Sequence, residues 1–203
     1  MLKARSSAFF LMAAAAAIAS TLALPALGQE VLYDNGPDGE NGYYHVNFGS
    51  AVTNSFALSS AATLTSATIT LYTVDDRNPP LRLKWSITTE PFGGTVLGEG
   101  FEDLALLQNP YLTNFLFFAW QMRIAIPNIS LPTGTYYLQI QDVVTRWDSF
   151  AFWAQSSGGN SQGYYQAIGK NGAGGISEVP SETFSIDGEW SSQQVRRPAT
   201  VYK

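Results

Sequence analysis

His45 is the only histidine in a chain of 203 residues that has no cysteine. A serine–histidine–acid machine needs a base held in place by an acidic partner. His45 instead stands between Tyr44 and Val46 in a segment that reads as strand, so it is expected to be structural. Zinc needs three or four histidine, cysteine or carboxylate ligands, and this composition all but removes it. Calcium needs only oxygen ligands. The run Asp34-Asn35-Gly36-Pro37-Asp38-Gly39-Glu40-Asn41 packs carboxylates and amides into one glycine-bent loop, and Asp34 and Asp38 are its candidate metal ligands. Its spacing departs from the EF-hand pattern, and the same residues would serve an Asx-type turn. Two carboxylates across a cleft are enough for glycoside hydrolysis. No pair among Asp75, Asp76, Glu90, Glu99, Glu102, Asp103, Asp142 and Asp148 can be matched from sequence.

The strongest candidates for binding are amides and aromatics on alternating strands. In 115–126, Leu116, Phe118, Trp120, Met122, Ile124 and Ile126 share one face, which leaves Phe115, Phe117, Gln121 and Arg123 on the other. In the next strand Tyr136, Leu138 and Ile140 face inward, leaving Tyr137, Gln139 and Gln141 outside. Paired as a hairpin, the two strands would set Gln121, Arg123, Tyr137 and Gln139 side by side. Amides and a guanidinium pair with sugar hydroxyls, and a tyrosine stacks on a pyranose. Parity in 150–154 places Phe150 and Phe152 inside, so Trp153 points outward beside the 156–163 loop and joins this platform. An ordinary solvated sheet face carries the same residue types.

These residues need strands to hold them, and the chain supplies strands almost throughout. Short β-branched and aromatic runs alternate with Gly, Pro, Asn and Ser clusters. Strands are expected near 31–33, 43–47, 52–58, 64–74, 81–89, 95–101, 115–126, 134–144, 150–154, 164–168 and 182–187, with 156–163 and 171–175 as glycine-rich loops. Leu81, Leu83, Trp85 and Ile87 share a face, so Trp85 and Trp120 are read as core. Helical periodicity is confined to the first residues. The pattern predicts an all-β fold, a two-sheet antiparallel β-sandwich of jelly-roll-like type.

The first 28 residues have the layout of a cleaved secretory signal: Lys3 and Arg5, an Ala-rich apolar run over 9–24, Pro25, then Ala26-Leu27-Gly28. The expected organisation is a signal over 1–28, a sandwich over 29–190 and a polar tail over 191–203. Nine basic and 16 acidic residues follow residue 28, a net −7, which disfavours nucleic acid. No later run approaches the ~18 apolar residues of a bilayer span.

The order of segments resembles exported bacterial β-sandwich surface proteins of the PEP-CTERM and choice-of-anchor type. The residues that carry it are Tyr33-Asp34-Asn35-Gly36-Pro37, Val46-Asn47-Phe48-Gly49, Lys84-Trp85-Ser86-Ile87, Leu131-Pro132-Thr133-Gly134-Thr135-Tyr136 and Pro180-Ser181-Glu182-Thr183-Phe184. The resemblance implies a jelly-roll-like domain secreted to, or displayed on, the surface of a Gram-negative bacterium, and it implies no reaction. The usual Pro-Glu-Pro, apolar helix and basic cluster are replaced here by Glu189-Trp190 and polar residues. The expected function is a non-enzymatic secreted or surface-associated module that binds extracellular polysaccharide, with no obligatory cofactor and calcium as the one ion it could take. A structural, self-associating surface protein is the alternative, and a small glycan-cleaving enzyme is a third.

Overall fold

The computed structural model describes residues 29–169 and 172–191. The expected signal over 1–28 and the tail past Ser191 lie outside the described residues. Every described element is a strand: β1 (Glu30–Asp34), β2 (Asp38–His45), β3 (Ser50–Leu58), β4 (Ala62–Thr73), β5 (Pro80–Glu90), β6 (Gly93–Asp103), β7 (Ala105–Leu106), β8 (Tyr111–Leu112), β9 (Phe118–Leu131), β10 (Gly134–Thr145), β11 (Ala151–Ser156), β12 (Gly163–Gly169), β13 (Gly172–Val179) and β14 (Phe184–Trp190). They form two antiparallel sheets, one of eight strands and one of six. The expected all-β, two-sheet antiparallel sandwich is the fold.

The six-stranded sheet runs β13-β12-β3-β10-β5-β6. The eight-stranded sheet is built on β4, whose twelve residues form a spine. One edge of β4 pairs with β9 along its length. The other edge serves two strands in turn: β14 pairs over Ala62–Ile69 and β11 over Leu71–Thr73. The sheet therefore forks at residues 69–71, with β1 outside β14 on one branch and β2 outside β11 on the other. The connection 35–37 bridges the two branches.

Between the sheets lies an apolar core that includes Leu64, Ile69, Leu71, Trp120, Met122 and Ile124 from one side and Phe56, Leu83, Trp85, Ile87, Leu138 and Ile140 from the other. Alternation fixes these faces, because a one-residue slip would turn each whole set to water. Each such side chain contributes about 1.5–3 kcal/mol on full burial. Trp85 and Trp120 are core residues, as their parity predicts.

Several expectations are corrected. β9 and β10 are not a hairpin. Only Pro132 and Thr133 join them, yet β9 pairs with β4 and β10 with β3 and β5, in opposite sheets. The turn is an arch over the end of the sandwich, and it lies beside a similar arch between β3 and β4. Trp153 is fully buried, packed edge-on against Phe184, and its indole N–H donates to the Thr183 carbonyl at 2.9 Å. Parity misleads in β11 because all six of its residues are buried, on both faces. Phe150, expected inside, is 52% exposed, and Leu81 is also exposed. Leu116 precedes β9 rather than lying in it. It sits at φ 63°, in the left-handed region that β-strand parity does not cover, and is 75% exposed. Residues 172–175, expected as loop, begin β13.

Candidate functional site

The outer face of the eight-stranded sheet is the part of the molecule with relief. After β6 the chain crosses to this sheet and runs along β9 as a strap, pairing through β7 and β8. Residues 113–117 close a tight turn, with Thr113 N donating to the Phe117 carbonyl at 2.8 Å and Leu116 N to the Thr113 carbonyl at 3.1 Å. The strap reaches over the β11–β2 branch. Phe117 and Tyr43 pack there against Tyr72, Ala119, Phe152 and Ala154, a second apolar cluster on the outside of the sheet. This cover is what buries the outward face of β11.

Asp38, at the start of β2, pins the strap. Its two carboxylate oxygens accept hydrogen bonds from the Tyr72 hydroxyl and from the Tyr111 hydroxyl at 2.7 Å, and the Glu40 N–H donates to it at 2.9 Å. Burial, then the bond to Asp38, pushes both phenols above their ordinary value, so each is a neutral donor. Glu40 adds a further tie by accepting from the Asn114 N–H at 2.9 Å.

The other branch is uncovered. Between the strap and the 34–38 segment lies a groove of about 430 Å³, within the size range of small-ligand sites. Tyr111 and Gln108 form one wall, and Asp34, Gly36 and Pro37 form the opposite one. Thr68, Thr70, Gln121 and Ser185 supply much of the floor. These are the outward residues of β4, β9 and β14, brought into line by the period of two. Hydroxyls, an amide and carboxylates thus converge on one concavity, and among the described residues no lysine or arginine lines it. The arrangement suits a neutral, hydroxyl-rich ligand, whose donors meet carboxylates and whose acceptors meet threonine, serine and glutamine.

The predicted residues scatter accordingly. Gln121 lines the groove. Arg123 lies one step along the same outer face, where it donates to Asp187 at 3.3 Å and to the Ser66 hydroxyl at 3.2 Å. Tyr137 and Gln139 face outward from the other sheet: Tyr137 meets Tyr164 edge-on at 6.2 Å, and the Gln139 amide bonds to Gln141. The sandwich therefore stands between Gln121 with Arg123 and Tyr137 with Gln139, and no single platform contains all four. Trp153, in the core, belongs to neither.

Asp34 and Asp38, singled out as metal ligands, do line one groove, together with Gln121. Asp34 accepts from the Gly36 N–H at 2.8 Å, the Asx-turn geometry. Asp38 opens a strand instead of lying in a loop, and its oxygens are taken by the tyrosine hydroxyls. Among the described residues no three histidine, cysteine or acidic side chains come together.

His45 packs its ring against Phe152 at 4.3 Å and Phe150 at 5.1 Å, and desolvation lowers its pKa. Gly159-Asn160-Ser161-Gln162-Gly163 has the spacing of a nucleophile elbow, which requires a strand-to-helix turn. Here it lies in a loop between two strands, and the Ser161 hydroxyl donates to the Asn54 side-chain carbonyl at 3.4 Å. Sequence reasoning missed Thr68, Thr70, Tyr111 and Ser185. The threonines carried a usable signal, the Thr-x-Thr alternation of β4, but nothing in the sequence showed that its outer face would stay open. A scan against protein-family models and a search of curated proteins both return no match.

Proposed function

We propose that this chain is a non-enzymatic, exported β-sandwich module, related to the choice-of-anchor surface proteins it resembles, and that its groove binds extracellular polysaccharide. One observation carries the reading: Asp34, Asp38, Thr68, Thr70, Tyr111, Gln121 and Ser185, from six strands, line one concavity with sugar-type polar chemistry. Shallow sites of this kind gain little per contact because water competes for each hydrogen bond. Affinity in the range of about 0.01–1 mM is expected. Calorimetry with a neutral β-glucan (laminarin) and a polyanionic glycan (alginate) tests it. Laminarin should bind, alginate should not, and Gln121→Ala should weaken binding while Tyr137→Ala leaves it unchanged. Weakening by Tyr137→Ala alone would move the site to the six-stranded sheet, and no binding to a broad glycan panel would remove the reading.

Self-association is supported by a different observation. Leu106, Leu107, Leu112, Phe115 and Leu116 leave the strap with a row of side chains at least 43% exposed, and such patches mark contact surfaces. Light scattering across a concentration series separates the two readings, since association through the strap would be lost in Leu112→Ser/Leu116→Ser and glycan binding would not.

A further inference from the structure

Behind the groove wall lies a buried acid that nothing neutralises. Glu182 is wholly buried. Its Oε2 accepts from the Asn54 side-chain N–H at 2.6 Å, while its Oε1 has no hydrogen-bond partner among the described residues. The elements packed around it bring Tyr44 from β2, Asn54 from β3, Gln155 from β11, which bridges to it, and Asn35 from the 35–37 connection. None brings a cation, and Glu182 makes no ion pair among the described residues. A charge placed here would sit in low dielectric with one oxygen unsolvated.

The same residue is the centre of a knot. Glu182 N donates to the Asn54 side-chain carbonyl at 3.1 Å, and the Glu182 carbonyl accepts from the Asn35 side chain. The Asn35 side-chain carbonyl in turn accepts from Tyr33 Oη at 3.0 Å, Asn160 N at 3.0 Å and Ser161 N at 3.2 Å. Gly159 and Gly163 are drawn so close that an added Cβ would lie 2.1 Å from the Ser181 hydroxyl and 2.6 Å from the Pro180 carbonyl. Three chain segments meet here: 34–36, 157–163 and 181–184. The first and last of them also supply part of the groove wall, and the 157–163 loop lies behind it, tied to that wall by Ser157 N donating to the Pro37 carbonyl at 3.1 Å. Asn35 and Glu182 point inward, and their neighbours Asp34, Gly36 and Thr183 line the wall, tied by Thr183 Oγ1 donating to the Gly36 carbonyl at 2.7 Å and Asn35 N to the Phe184 carbonyl at 2.9 Å.

We propose that Glu182 is a proton-operated latch: protonated, it holds the Asn35–Asn54–Ser161 knot shut, and ionised, it frees the 157–163 loop and slackens the groove wall. Control of ligand binding by this latch rests on reading the groove as the binding site; the latch itself does not. Burial raises the Glu182 pKa from its ordinary 4.5 to about 8. The closed state therefore binds a proton that the open state has released, and opening becomes easier as pH rises between those values.

Hydrogen exchange on the full chain, corrected for the intrinsic rate, tests this from pH 5 to pH 8. In the wild type the opening constant of 35–37 and 157–163 should rise roughly tenfold per pH unit, with protection always below that of β4 and β9. In Glu182→Gln it should be flat. Infrared difference spectra should show a protonated-carboxyl stretch at pH 6 that Glu182→Gln lacks. A flat wild-type profile, an equal rise in the variant, or no carboxylic band at pH 6 overturns the latch, and the first and last need no variant to fold. Laminarin calorimetry over the same range keeps the two readings apart. Binding that ignores pH removes the control of the groove, whereas an intact latch with no binding at any pH removes the glycan reading alone.

Discussion

At the scale of single residues, burial decides more than side-chain type. Trp153 has the type of a sugar-stacking residue and the environment of a core one, with zero exposure and its indole N–H satisfied inside. Trp153→Ala is expected to destabilise the fold by about 3–5 kcal/mol, the usual range for a truncated buried aromatic, and denaturant titration reads that loss. Glu182 is the opposite case, a charged type in an apolar environment. Its raised folded-state pKa stabilises the fold fully below about 4.5 and progressively less as pH climbs to about 8. The wild type should thus lose on the order of 3–5 kcal/mol between pH 4.5 and 8.5 from this group, seen as a falling denaturation midpoint. Asp38 has both oxygens engaged by tyrosine hydroxyls and its neighbour Glu40 N–H. A calcium ion would have to displace those donors, so melting curves in calcium and in chelator are expected to coincide.

At the scale of elements, regularity was legible and partnership was not. The alternation of β5, β9 and β10 reveals Trp85, Trp120, Leu138 and Ile140 as core because side chains in a strand repeat every two residues. Which strands lie side by side is a property of connections, and Pro132-Thr133 has the length of a hairpin turn although it spans the two sheets. That misreading placed Gln121 beside Tyr137. The alternation of β11 carries no information because the strap buries its second face, and β13 hides in glycines. Asp34, Asp38 and Gln121 were visible as polar candidates, but their meeting in one groove depends on the fork in the sheet, which no local pattern encodes. The β14 branch has its own weak point, away from the fork. At Gly188, beside the bulge in the β14–β4 ladder, an added Cβ would lie 2.0 Å from the Thr63 carbonyl. Gly188→Ala should force the two strands apart and cost about 1–3 kcal/mol, measurable as a lowered melting temperature with the groove residues unchanged in sequence.

At the scale of the whole molecule, the two outer faces have different characters. The six-stranded sheet presents Tyr137, Gln139 and Tyr164 on an open strand surface, and the eight-stranded sheet presents a strap, a groove and a latch. Removing charge from the groove should extend its ligand range. Asp34→Asn is expected to admit alginate that the wild type rejects, because repulsion between like charges falls with one carboxylate gone, and calorimetry at low salt reads the gain. The fork also governs how the chain can come to be folded. Among the described residues β1 pairs with β14 alone, and the long spine β4 waits on its open edge for the same strand, synthesised on the order of a hundred residues later. As it emerges from a ribosome, the chain has no strand beside which to place β1 until β14 appears. Completion of this branch then waits on a long-range pairing, on the millisecond-to-second scale of β-rich topologies. The β4–β9 ladder and the six-stranded sheet can pair without β14, so the branch that carries one wall of the groove is the last part of the molecule to be completed.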